Sequence, residues 1–499
     1  MTKAILAVDL GTSRLRAGLF DRFGTCLAVS AFEYPIISNA PGAAEQDPEK
    51  WLEGLGRTVQ DVLGRHPVSQ IEGMAFSGQM HGTVLVDQSG APLCPAIIWC
   101  DQRGGEAVQW IREEIGSERY DLITGNPLAS GFQAATLAWI RTQNPELLQK
   151  AEQVFLPKDF LIHCLTGDNV TEPTDAVSTG LLDLNLPGGH SPHWSEELIG
   201  LLGMRRDQFP SLRPSLLPQN LKMAHESSRR FGLPEGLPIL AFGGDAVLGA
   251  TFTLGDRGAN QAAALISSGG QLLVARDQAY PAPDQGIHLL PQMQPGKWFS
   301  MAAFLSAGLS LEWWRQEIES FTGRPMEMEY LLDAAGKVPP GSEGLCFVPH
   351  IAGERTPLLD PDAQGSFWGI HRTHTLGHFA RAILEGVSMS FRQGLEILET
   401  TGGPIKSLLI GGGGSKSPLW CQIFADVTQR EVGVLQDLSE TSLIGAALAA
   451  AQGIGWDCSS LHPKQTGNYK PNQDHSSVLS RNYAQFKEMP LILRQMRQK

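Results

Sequence analysis

Ala4-Ile5-Leu6-Ala7-Val8-Asp9-Leu10-Gly11-Thr12-Ser13-Arg14-Leu15-Arg16-Ala17-Gly18-Leu19-Phe20 is the stretch on which the fold turns. An apolar run ends at Asp9, Gly11-Thr12-Ser13 turns, and Leu15 to Phe20 resumes with partial alternation. Asp21-Arg22-Phe23-Gly24 is a further turn signal. The pattern predicts antiparallel strands joined by tight turns. A turn of Gly11, Thr12 and Ser13 can point backbone N–H groups and hydroxyls into one concavity that suits phosphate oxygens. Asp9, held at the strand end, can hold a hydrated Mg²⁺ through its water shell. The same residues also fit a plain hairpin with a turn-capping carboxylate.

Outward from this hairpin, Asp47-Pro48-Glu49 opens a helix: Asp as N-cap, Pro in the first turn, Glu at the positive end of the dipole. Trp51, Leu52, Leu55, Val59 and Leu63 supply its apolar stripe. Ile71 to Phe76 reads as a short strand that delivers Ser77-Gly78-Gln79-Met80-His81-Gly82 at its end. Near the middle the pattern restarts. Leu237 to Phe242 is a strand ending in Gly243-Gly244-Asp245, which by itself is a turn carboxylate closing a Gly-rich bend. Ala262 to Ile266, a turn at Ser267-Ser268-Gly269-Gly270, and Leu272 to Ala275 echo the opening hairpin. The second half is therefore expected to be built like the first, with a boundary near residue 245. Leu443 to Trp456 reads as a buried helix with a Gly-rich exit, and Asn185 to Pro192 and Tyr280 to Gln285 as surface loops.

At 499 residues the chain is too long for one compact core. Its net charge of −13 argues against a nucleic-acid partner, which would need clustered Lys and Arg. The sequence has neither an apolar run long enough to span a bilayer nor a signal-peptide pattern at its start. Cys26, Cys94, Cys100, Cys164, Cys346, Cys421 and Cys458 are widely spaced and form no Cys-x-x-Cys, which fits reduced thiols in a cytoplasmic enzyme. A homodimer is allowed for, although no feature demands one.

Gly411-Gly412-Gly413-Gly414-Ser415-Lys416-Ser417 resembles a P-loop at a glance, but Ser415 stands where the pattern requires Gly before Lys. His371, His374 and His378 are spaced like metal ligands on a helix. A structural or exposed role is the alternative for them.

Several motifs in register resemble the FGGY carbohydrate kinases of the actin, hexokinase and Hsp70 superfamily. Asp9 to Ser13 resembles the family's first phosphate motif, Gln79-Met80-His81-Gly82 its sugar-contacting loop, and Trp99-Cys100-Asp101-Gln102-Arg103 its Trp-x-Asp-x-Arg segment. Glu45 to Pro48, and Leu156-Pro157-Lys158-Asp159-Phe160 with Gly167 and Asp175, continue the match. Gly365 to Ile370 followed by His378 to Glu385 fits the second family signature, and Leu409 to Gly413 with Ser417 to Trp420 resembles the adenosine loop.

The resemblance implies an α/β architecture of two actin-like, ribonuclease H-like domains with an ATP and sugar cleft between them. Residues 1–245 would form the sugar and phosphate side, and 246–499 the nucleotide side. It implies ATP and Mg²⁺ as cofactors, and a ketopentose substrate with D-xylulose as the first expectation. Asp245 becomes the general base, with Gln79, Met80, His81 and Asp101 at the sugar. Asp101 has an equal alternative as the structural ion-pair partner of Arg103. Gly11, Thr12 and Ser13, with Ser268, Gly269 and Gly270, would cradle phosphates, Gly412, Gly413 and Gly414 would approach adenosine, and Asp9 would organise the metal. The resemblance also implies the structural or exposed role for His371, His374 and His378, with His378 near a helix start. Three departures stand out. Ala246 replaces the Asn usual after the base, Ser267 to Gln271 rearranges the second phosphate turn, and Thr136 replaces a Lys of the first signature. The rivals are a kinase for another ketose or polyol, a non-catalytic sugar-binding protein on the same scaffold, and a chaperone of the same superfamily.

Overall fold

The computed structural model describes residues 3–66, 71–184, 186, 192–218, 220–255, 260–436, 440–457 and 463–497. Cys458 and most of the Asn185 to Pro192 loop lie outside them. The chain divides into two compact units, the first comprising Met1–Gly255, Leu290–Trp298 and Glu440–His462, the second Asp256–Leu289, Phe299–Ser439 and Pro463–Lys499. The division thus falls after Gly255 rather than near residue 245, and two later segments belong to the first unit.

The first unit is built on a five-stranded sheet of β1 (Ala4–Leu10), β2 (Arg14–Asp21), β3 (Cys26–Glu33), β4 (Ile71–Gly78) and β5 (Ile239–Gly244), in the order β5-β4-β1-β2-β3. β1 and β2 form the expected hairpin, antiparallel with Leu10 opposite Leu15, while β4 and β5 add in parallel. All seven residues of β1 are buried because both faces of the sheet are covered. Leu6 and Val8 face a core with Trp51, Leu55 and Val59 from the Pro48–Leu63 helix. Ile5 and Ala7 face Leu443, Ala446 and Ala447 from the Thr441–Gly453 helix. Asp47 caps the first of these helices by accepting the Glu49 N–H at 3.0 Å. Along its stripe Val62 takes the buried position and Leu63 is only partly covered. The late helix can lie directly on Asp245–Leu254 because Gly445 has no side chain. A Cβ there would sit 2.1 Å from the Leu248 carbonyl oxygen. No sequence-local signal gives that docking, which is why a single cut of the chain does not separate the two units.

The second unit repeats the plan. β6 (Gln261–Ile266), β7 (Gly270–Arg276), β8 (Ile287–Pro291), β9 (Trp298–Phe304), β10 (Ser407–Gly411), β11 (Glu431–Leu435) and β12 (Gln465–Tyr469) form a sheet in the order β8-β9-β7-β6-β10-β11-β12. β6 and β7 are an antiparallel hairpin, and β10 and β11 add in parallel, as β4 and β5 do on β1. The Leu376–Gly402 helix packs Ile383, Leu384, Val387, Phe391 and Leu395 into this core. His378 serves its first turn, where its Nδ1 accepts the Thr375 N–H at 3.1 Å. Among the described residues no helix is long and apolar enough to cross a membrane.

Candidate active site

The carboxyl ends of β1, β4 and β5 meet at one edge of the first sheet. Ser77 on β4 stands opposite Asp9 on one side and Gly243 on the other. Two strand spacings therefore separate Asp9 from Gly243, roughly 10 Å. Asp245 follows as the first residue of the Asp245–Leu254 helix.

The turn beside Asp9 is fixed through its acceptors. Tyr34 donates its hydroxyl to the Gly11 carbonyl at 2.5 Å and its N–H to the Ser13 carbonyl at 3.2 Å. Gln46 Nε2 donates to the Thr12 carbonyl, and Trp99 Nε1 to the Thr12 hydroxyl at 2.9 Å. Gln46 is itself held, its Oε1 accepting from Trp51 Nε1 at 3.2 Å and from Gln79 Nε2 at 2.9 Å. Tyr34, Gln46 and Trp99 were not among the expected site residues. They come from segments outside the hairpin, so the turn's own sequence carries no trace of them.

The electrostatics concentrate on two carboxylates. Burial pushes Asp9 above the ordinary carboxylate range; Arg16 lowers it, as do the Ser77 and Ser442 hydroxyls, while Glu440 raises it further. Arg16 lies opposite Asp9 in the hairpin register and pairs with Glu440. Asp245 is pushed up to about 7, first by burial and then by the charge of Asp9, with the Ala246 N–H and Arg16 working the other way. Its Oδ1 accepts the Ala246 N–H at 2.7 Å. Asp9 Oδ1 is buried and receives no hydrogen bond among the described residues. Two carboxylates that feel each other, one with an unmatched buried oxygen, suit a cation. The described residues hold no cluster of three or more His, Cys, Asp or Glu that could cage one. A hydrated Mg²⁺ fits such a site, since it keeps its waters and takes only one or two protein carboxylates.

The loop after β4 brings the expected sugar residues to the same edge. Met80 is buried against β5: a Cβ at Gly244 would lie 2.9 Å from Met80 Sδ. Gly244 is therefore required for the thioether to lie beside the strand end that carries Asp245. His81 adopts a left-handed backbone at φ 71°, sparsely populated for a non-glycine residue. That conformation is held by its N–H donating to Ser178 Oγ at 2.9 Å and by Nδ1 at 2.7 Å from the Ser178 carbonyl. A carbonyl only accepts, so Nδ1 carries the proton and Nε2 is the acceptor of the neutral ring. The ring stacks on Phe132 with centroids 4.1 Å apart.

Gln79 and Asp101 are placed differently. Gln79 is buried, donating its N–H to the Leu10 carbonyl at 2.8 Å and its amide to Gln46. Asp101 Oδ2 accepts the Ala44 N–H at 2.8 Å and Arg103 Nε at 2.9 Å, while Oδ1 accepts the Arg103 N–H at 2.9 Å. Arg103 reaches on to Glu45 at 2.7 Å. The ion pair expected as one alternative for Asp101 is thus formed, and it fixes the segment that carries Gln46.

In the second unit, Ser268, Gly269 and Gly270 form the turn between β6 and β7, the counterpart of residues 11–13. The Ser268 carbonyl accepts the N–H groups of Ala307 and Leu309 at 2.9 and 3.0 Å. Gly412 and the tight turn Gly413–Lys416 follow β10, which runs parallel beside β6. At φ 84°, with a would-be Cβ 2.5 Å from the Ile266 carbonyl oxygen, Gly412 tolerates no side chain. The hairpin turn and the glycine loop thus lie along one edge of the second sheet.

With this geometry in place, likeness to known proteins is specific. The N-terminal domain model of the FGGY family of carbohydrate kinases matches residues 4–251, and the C-terminal domain model matches residues 267–454. A xylulose kinase of Lactococcus lactis subsp. lactis is 35% identical over 460 residues, covering 90% of this chain and 88% of the relative. A gluconokinase of Bacillus subtilis is 28% identical over 464 residues, covering 91% and 88%. The crystal structure of xylulose kinase from Rhodospirillum rubrum superposes with a TM-score of 0.89 at 27% identity, covering 100% of both chains. The chain belongs to the FGGY family of carbohydrate kinases and shares its two-domain, actin-like α/β fold.

Proposed function

We propose that the chain transfers the γ-phosphoryl group of ATP to a hydroxyl of a ketopentose, with D-xylulose as the preferred acceptor and the sugar 5-phosphate and ADP as products. The observation that carries this reading is the meeting of Asp9, Met80, His81 and Asp245 at one sheet edge, in a chain 35% identical to a xylulose kinase. Asp245 is the general base that takes the proton of the attacking hydroxyl. With a pKa near 7 it is a far better acceptor than an ordinary carboxylate, while still ionised in a large fraction of molecules at neutral pH. Phosphoryl transfer asks mainly for positioning and charge neutralisation. Thr12 and Ser13 supply N–H groups and hydroxyls to phosphate oxygens, and Gly11, whose own N–H closes the turn on the Arg14 carbonyl at 3.1 Å, lets the phosphates approach a turn whose carbonyls are already engaged. The Ser268 to Gly270 turn is the second unit's phosphate contact, and Gly412 to Gly414 its adenosine contact. Bound Mg²⁺, held by Asp9 through water, would neutralise charge on the phosphates. A cytoplasmic address belongs to the same reading and is supported by free thiols at six described cysteines.

Met80 packs against sugar carbon, and His81 Nε2 accepts a sugar hydroxyl. Asp101 borders this pocket indirectly, by holding the segment around Gln46. Replacing His81 with Ala is expected to raise the KM for sugar roughly tenfold, the value of one good hydrogen bond, with the KM for ATP little changed. Initial-rate kinetics at saturating ATP and then at saturating sugar check this. A rise confined to ATP would place the loop at the nucleotide.

Ala246 supports a second reading, a kinase for another ketose, a polyol or a sugar acid. The methyl group beside Asp245 offers a substrate hydroxyl no hydrogen bond. A coupled ADP-release assay over pentuloses, hexuloses, polyols and gluconate separates the two. D-Xylulose is expected to give the highest kcat/KM, with D-ribulose or L-xylulose within about tenfold because one hydrogen-bonding partner is missing. Turnover on gluconate or glycerol without turnover on any pentulose would select the second reading.

A further inference from the structure

Behind the sugar loop lies a buried charge cluster that catalysis does not use directly. Lys158, Asp159, Glu172 and Asp175 are all fully buried. Lys158 Nζ lies 2.6 Å from Asp159 Oδ1, 2.9 Å from Asp175 Oδ2 and 3.5 Å from Glu172 Oε1. One ammonium among three acids is an expensive arrangement, and a buried ion cluster is weak evidence of a stabilising role. Burial works against the Lys158 charge, yet its three acidic neighbours outweigh that and hold it protonated. Burial raises Asp159 and pushes Asp175 up to about 8, with Lys158 offsetting only part of this.

Two chains of hydrogen bonds leave the cluster. In the first, Glu172 Oε1 accepts the Thr174 hydroxyl at 2.9 Å, which turns the lone pairs of that hydroxyl toward the Gly244 N–H, 3.1 Å away. Glu172 is itself immobilised by the N–H groups of Thr174 and Asp175 and by Ser215 Oγ at 2.6 Å. In the second, Asp175 Oδ1 accepts the Ser178 hydroxyl at 3.1 Å, and Ser178 Oγ in turn accepts the His81 N–H. One chain ends on the residue before Asp245. The other ends on the strained backbone of His81.

We propose that Lys158, Glu172 and Asp175 form a positioning device that locks the general base and the sugar-binding histidine in mutual register, through Thr174 to Gly244 and through Ser178 to His81. The proposal rests on the roles given above to Asp245 and His81. None of its five side chains touches the substrate. The cluster holds the two reacting partners to one rigid reference, so the hydroxyl gripped by His81 is presented to Asp245 without adjustment of either loop.

The two arms make separable predictions. Thr174→Val keeps the shape but cannot accept the Gly244 N–H; kcat is expected to fall about ten- to hundredfold with the sugar KM held. Ser178→Ala frees the His81 backbone and is expected to raise the sugar KM about tenfold with kcat little changed. Thr174→Ser and Ser178→Thr keep the hydroxyls and are expected to restore most of each loss. Steady-state kinetics on the full chain, with folding checked by circular dichroism, read all four, and Thr174→Ala carries the first arm should the valine variant fail to fold. Wild-type kcat in a folded Thr174 variant, or a lost KM–kcat split, overturns the device. Asp245→Asn run alongside distinguishes the failures. Turnover kept in Asp245→Asn overturns the base assignment and this proposal with it. Turnover lost there but kept in Thr174→Val overturns this proposal alone.

Discussion

Asp245→Asn is expected to lower sugar-dependent turnover by about 10²- to 10⁴-fold while leaving the chain folded, because an amide cannot take the proton of the attacking hydroxyl. Gly244 and Ala246 keep their surroundings, and the Asn carbonyl can still accept the Ala246 N–H that Asp245 Oδ1 now receives. The sign of the stability change separates a catalytic from a structural carboxylate. With its folded pKa raised to about 7 by burial and by Asp9, Asp245 binds its proton more tightly in the folded chain than in the unfolded one. Its contribution to stability is therefore whole below the ordinary carboxylate range and is lost as pH rises through about 7. The unliganded Asn variant should melt no lower than the wild type at pH 8. The wild-type rate at limiting sugar should fall as pH drops below 7, because the base is then protonated. A variant that keeps its rate, or that melts well below the wild type at pH 8, would make Asp245 a structural residue.

Lys158→Met is the second large effect, and it falls on stability. The substitution preserves length and apolar stem but leaves Asp159, Glu172 and Asp175 buried without their cation. Breaking a buried ion cluster by removing one partner costs about 3–5 kcal/mol. In a unit of this size that is expected to lower the melting temperature on the order of 10 °C. The pH dependence tests the cause. Asp159 and Asp175, both raised by burial, protonate as pH falls, which removes much of the uncompensated charge, so the gap between variant and wild type should narrow from pH 8 to pH 5. Thermal melts across that range check this. A gap independent of pH would mean that the loss is one of packing, since Lys158 Cβ also lies 2.7 Å from where a Cβ at Gly78 would stand.

What the sequence disclosed divides by distance along the chain. The hairpins at residues 4–20 and 262–275 were legible because apolar runs, small-residue turns and strand alternation are local signals. Their shared topology became certain only when β4 and β10 took equivalent parallel places. Asp9, Met80, His81 and Asp245 were singled out through motifs, and the fold sets the strand ends that carry them at one sheet edge. The partners that hold them were not. Ser178 lies 97 residues from His81, and Thr174 lies 70 from Gly244. No pattern in a single sequence joins such pairs. Lys158, Asp159 and Asp175 stood in the matched motifs without a role, because an acid-rich segment reads the same whether solvated or buried. Arg16 was within reach: a tight turn after Leu10 sets Asp9 opposite Arg16, and that register alone would have paired them. The Thr441–Gly453 helix was legible as buried, but its place on the first sheet depends on Gly445 meeting Leu248 across nearly 200 residues of chain.

The central claim is most directly tested by identifying the product formed from MgATP and D-xylulose. Phosphorus NMR with proton correlation should show one new phosphomonoester at the 5-position of the sugar, formed in step with ADP. Phosphate released as inorganic phosphate, or no sugar ester from any pentulose while another acceptor is consumed, would contradict the account.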